Sequence, residues 1–136
     1  MAGAALPSHG ADALEANAVM KTGNLRADLP PGRAVKELLT VLLGRPDLRI
    51  ERIVSTGQVT PDGEWYDQDT DEFVLVVTGA ARLRIEGEAE DRQLAEGDWL
   101  LLPAHCRHRV TWTRAEPPTI WLAVHFCGAR SATRLA

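Results

Sequence analysis

The feature that most constrains this chain is its punctuation between Leu48 and Phe126. Apolar or alternating runs are stopped every few residues by Gly or Pro: Gly57, Pro61, Gly79, Gly87, Gly97, Pro103 and Pro117-Pro118. Runs this short suit strands and leave no room for long helices. The expected strands cover residues 48–54, 72–78, 81–86, 91–95, 99–102, 107–113 and 119–126. Trp99-Leu100-Leu101-Leu102 reads as a buried strand. Ahead of them, Val35, Leu38, Leu39 and Leu42 recur at helical spacing, with Gly44 as a C-cap and Pro46 as a stop. This predicts a short amphipathic helix over 33–43. The fold class is therefore all-β, a small antiparallel barrel or sandwich with one short N-terminal helix.

One domain accounts for the 136 residues. Residues 1–20 are Ala- and Gly-rich and read as a disordered leader, with Met20 as a candidate start of the working protein. Residues 21–47 form an N-terminal segment, 48–128 the barrel, and 129–136 a polar tail. A net charge of −4 and only two lysines, Lys21 and Lys36, argue against a nucleic-acid partner. No apolar run reaches membrane-spanning length, and no export signal is visible. The expected location is the cytoplasm, with Cys106 and Cys127 as free thiols.

The run from Trp65 to Gly79, WYDQDTDEFVLVVTG, carries the chemistry. Glu72 opens its apolar strand, and a buried lone carboxylate is costly. Side chains alternate along a strand. If Glu72 faces inward, so do Val74, Val76 and, by extension, Gln68 and Tyr66. Asp67, Asp69 and Asp71 then face outward. Asp-x-Asp-x-Asp is no EF-hand, because Glu72 and Thr78 stand where that loop needs Gly and Glu. The second cluster is His105-Cys106-Arg107-His108-Arg109. It lacks the Cys pairs of a structural zinc site. His125 shares a face with Trp121 and Ala123 and reads as a core or lining histidine. Trp99, Trp112 and Trp121 read first as core. Arg107 and Arg109 are expected to pair with the aspartates or hold an anionic ligand.

Together the two clusters resemble the two motifs of the cupin family. Glu72 and Gly79 keep the glutamate-to-glycine spacing of the first motif, and Gly97, Pro103 and His108 keep the positions of the second. The resemblance implies a small antiparallel jelly-roll β-barrel holding one divalent metal ion. Carried over by position, Glu72 and His108 are retained ligands. The two histidine positions of motif one are Tyr66 and Gln68, or Trp65 and Asp67 in the longer spacing. His105 replaces the usual motif-two glycine, and Trp112 the asparagine that often follows. The implied metal set is Gln68, Glu72 and His108, with His105 as a fourth. Such a mixed N/O set suits Zn, Fe, Mn or Ni. Tyr66 is the candidate catalytic proton donor. The functional expectation is a metal-binding barrel acting on or binding a small-molecule metabolite, as an oxygenase, isomerase or lyase. The alternatives are a non-enzymatic or sensory binding barrel and a structural barrel without chemistry. A small-molecule ligand is the expected partner, with a homodimer as an option for assembly.

Overall fold

The computed structural model describes residues 20–127. The leader and the polar tail named above lie outside the described residues, apart from Met20. Eight strands follow in order: β1 (Leu38–Arg45), β2 (Leu48–Ser55), β3 (Asp71–Thr78), β4 (Ala81–Ile85), β5 (Arg92–Leu94), β6 (Trp99–Leu102), β7 (His108–Thr113) and β8 (Thr119–Phe126). They form a five-stranded sheet, β1-β2-β8-β3-β6, and a three-stranded sheet, β5-β4-β7. All named strand pairs are antiparallel. This is the expected jelly-roll.

The core lies between the two sheets. Val74, Val76, Leu102 and Trp121 come from the larger sheet; Ala81, Leu83, Ile85 and Leu94 come from the smaller. On β3 the burial alternates as the parity argument requires, with Glu72, Val74 and Val76 inside. Gly79 ends this strand at φ 91°, pressed against Thr119.

Three expectations are corrected. Residues 33–43 form no helix; Leu38–Arg45 is strand β1. β1 is an edge strand whose Leu38, Leu39, Val41 and Leu42 are all exposed, so no buried face imposes the two-residue alternation that marks a strand; its register with β2 also shifts between Val41 and Leu43. Upstream, Ala34 donates its N–H to Thr56 Oγ1 and accepts from Gln58 Nε2, tying that segment to the barrel. Strand β6 is not buried. It is an edge strand, with Trp99 59% and Leu101 55% exposed and Leu102 buried. Trp112 is also exposed, so of these three tryptophans only Trp121 is core.

The inner face of the five-stranded sheet is ordered in rows. Arg49, His125, Glu72 and Leu102 are successive cross-strand neighbours. The next row is Glu51, Ala123, Val74 and Leu100. The third joins Ile53, Trp121 and Val76. Polarity thus falls from one end of the barrel toward the other.

Candidate functional site

The polar end of that face opens into a cavity of about 200 Å³. Its apolar wall includes Ile53, Val74, Leu83, Leu102, Val110 and Trp121. Its polar side is made by Glu37, Arg49, Glu51, Tyr66, Gln68, Glu72, His108 and His125.

Glu72 sits at the start of β3, and His108 at the start of β7 in the other sheet. Both are buried, and His108 Nε2 lies 3.7 Å from Glu72 Oε1. His108 Nδ1 is 2.8 Å from the carbonyl oxygen of Cys106. A carbonyl only accepts, so this contact places a proton on Nδ1 and turns Nε2 toward the carboxylate. Gln68 Nε2 donates to Glu72 Oε1 at 2.9 Å. Tyr66 is bridged to His108 through both backbone groups, and its ring stacks on the imidazole at 5.3 Å. Burial, and then the negative charges of Glu37 and Glu72, push the Tyr66 phenol above its usual range; a hydrogen bond with Thr60 opposes them. The phenol therefore stays a proton-bearing group at neutral pH.

Of the sequence-predicted residues, Tyr66, Gln68, Glu72 and His108 line one cavity. His105 is not brought to them. It adopts a left-handed conformation, φ 64°, where the motif glycine would stand. Its exposed side chain turns to Asp67, with Nδ1 2.8 Å from Oδ1. The same loop is docked by His105 N–H on the Gln68 carbonyl and Ala104 N–H on Asp71 Oδ1. Outward-facing Asp67 and Asp71 thus hold the loop that presents the Cys106 carbonyl to His108. Arg107 pairs with Glu86 and Arg109 with Asp62, and both guanidinium groups lie near the Trp65 ring.

Sequence reasoning missed Glu37, Arg49 and Glu51. Glu51 is buried on β2, takes the Arg49 guanidinium, and lies 3.3 Å from His125 Nε2. His125 Nε2 is also 3.9 Å from Glu72 Oε2. A signal was present: Arg49, Glu51 and Ile53 share one strand parity. What it faced depended on pairing β2 with β8.

The implied metal centre was tested on these donors. His108 suits it, because a ligating histidine has its other ring nitrogen held, here by Cys106. Gln68, however, turns its amide N–H rather than its oxygen toward Glu72. Among the described residues, no three His, Cys, Asp or Glu side chains are set to hold an ion. The arrangement is not a finished metal cage.

Residues 53–125 match the family model described as the cupin domain. The fold also matches solved structures. One is a protein from Ralstonia eutropha JMP134 named for a proposed mannose-6-phosphate isomerase activity. It is 52% identical, with a TM-score of 0.77, covering 80% of this chain and 100% of that one. A cupin superfamily protein from Desulfitobacterium hafniense DCB-2 is 18% identical, with a TM-score of 0.64, covering 82% and 96%. An RmlC-like cupin from Methanocaldococcus jannaschii is 14% identical, with a TM-score of 0.61, covering 85% and 98%. The latter two likenesses concern the fold alone. No curated protein matches the chain. With its jelly-roll, its motif spacing and a family match over more than half its length, this chain belongs to the cupin family.

Proposed function

We propose that this cupin binds a small-molecule metabolite in the barrel cavity, with Glu72 and His108 as its polar centre and Tyr66 as a hydrogen-bond or proton donor. The observation that carries this reading is the buried Glu72–His108 pair at 3.7 Å, held by Gln68 and the Cys106 carbonyl beside an apolar wall. An apolar pocket with a few convergent polar groups is the usual form of a ligand site. At about 200 Å³, below the roughly 300–1,000 Å³ of drug-sized sites, it favours a compact ligand. The test is calorimetric titration of tag-free protein with a panel of small metabolites. Binding lost in folded Glu72→Ala and His108→Ala variants supports the reading. A folded protein that binds none of the panel, or variants that bind as well as the parent, overturn it.

A second reading adds one divalent ion held by Glu72, His108 and the carbonyl oxygen of Gln68. It is favoured by His108 Nε2 facing Glu72 while Nδ1 is held by the Cys106 carbonyl, and it requires the Gln68 amide to rotate. The bound ion would act as a Lewis acid. The Cys106 carbonyl would fix the imidazole. Its test is metal analysis of tag-free protein, together with thermal unfolding in chelator and in added Zn, Fe, Mn or Ni. An ion binding only the folded state stabilises it by about 2.7 kcal/mol at a hundredfold excess over Kd. No ion retained and no shift with any of them would remove this reading and leave the first intact.

A further inference from the structure

We propose that the cavity selects a small organic cation, a protonated amine, over neutral or anionic molecules of the same shape. This rests on the reading that the cavity is the ligand site.

The first observation is charge. Three carboxylates line the cavity: Glu37, Glu51 and Glu72. The one Lys or Arg among the lining residues is Arg49, and its guanidinium is already paired with Glu51. A phosphate or carboxylate ligand would meet three carboxylates against one guanidinium.

The second observation is the donor–acceptor balance. Of the protein's own donors, Gln68 Nε2 gives one N–H to Glu72, His108 Nδ1 is held by the Cys106 carbonyl, Trp121 Nε1 donates to Ser55 Oγ and Ser55 Oγ to Glu37, while Tyr66 adds its hydroxyl to the lining. Each carboxylate has about four lone-pair sites, more than these donors fill. His125 lines the cavity with its Nε2 turned to Glu51 at 3.3 Å and to Glu72 at 3.9 Å. A lining with three carboxylates against one guanidinium is complemented by a ligand that carries positive charge and donates hydrogen bonds. An ammonium group has three N–H donors and the matching charge. The adjoining apolar wall receives a short hydrocarbon body.

The test uses chelator-treated, tag-free protein titrated by calorimetry with butylamine, 1-butanol and butyrate. These probes share a shape and differ in charge at neutral pH. Butylamine is expected to bind at least tenfold more tightly than butanol, with no saturable binding of butyrate. Glu51→Gln and Glu37→Gln should each cut the preference several-fold; half-buried Glu37 is the substitution that leaves folding least affected. Butanol or butyrate binding as tightly as butylamine overturns the ligand class while leaving the cavity as the ligand site. Binding of none of the three overturns both. A preference for butylamine that survives both substitutions overturns its assignment to this cavity.

Discussion

His108 and Glu72 meet at 3.7 Å from strands of different sheets, so one polar contact bridges the two layers of the barrel. Removing either partner leaves the other buried and short of an interaction. His108→Ala or Glu72→Ala should each destabilise the protein by about 1–3 kcal/mol. The double variant should lose less than the sum, because the two residues are in contact. Urea unfolding of the four-member cycle measures this. Strict additivity would mean that the contact contributes no coupling.

Tyr66 is the only tyrosine in the chain, so its ionisation can be followed by ultraviolet absorbance. Burial first, then Glu37 and Glu72, raise its pKa in the folded protein. The folded state therefore holds the phenolic proton more tightly than the unfolded chain, whose tyrosine titrates near about 10. This contribution to stability is fully present below that pH. It is lost as pH rises through the higher folded pKa. The expected result is a tyrosinate transition above that of the urea-unfolded protein, moving downward in Glu37→Gln.

Gly79 is required by both conformation and space. Its φ is 91°, and an added Cβ would lie 2.6 Å from the Thr119 Cα, a backbone atom that cannot swing aside. A side chain in a left-handed conformation alone costs about 1–2 kcal/mol. Gly79→Ala should exceed that range in chemical denaturation. Gly63→Ala has a positive φ but open space around it, and should cost less.

The two thiols should differ in reactivity. Cys106 is partly buried; burial, then the charge of Glu88, raises its pKa, while Arg92 pulls the other way. Cys127 is exposed. Alkylation with iodoacetamide near pH 8, read by peptide mass spectrometry, should modify Cys127 first, because the thiolate is the reacting species. Equal rates would contradict the burial of Cys106.

Much of the fold was legible because strand parity is local. The inward set Tyr66, Gln68, Glu72 and Val74 follows from alternation alone, and the structure puts all four on the cavity. Errors arose where alternation is broken or where partners are remote. Edge strand β1 carries apolar residues on both faces, so Leu38, Leu39 and Leu42 gave no period-two signal and read as a helix. Trp99 and Leu101 read as core because an edge position cannot be seen in a single run of residues. His105 was drawn into the site by spacing, whereas its left-handed backbone turns it out to Asp67. Glu51 gained its meaning only from His125, which lies 74 positions away in sequence and is brought near by the β2–β8 ladder.

The rows across the inner sheet have a consequence for how this barrel can change through evolution. Arg49, His125 and Glu72 occupy one row, while Ile53, Trp121 and Val76 occupy another, two rows deeper. Substitutions in the first row alter charge and hydrogen bonding in the cavity without opening a void around Val76 or Trp121. Substitutions in the deeper row disturb core packing, and at Ile53 and Trp121 they also reshape the cavity wall. A barrel divided in this way can change the charge of its cavity, at some cost in stability, while its apolar core stays fixed.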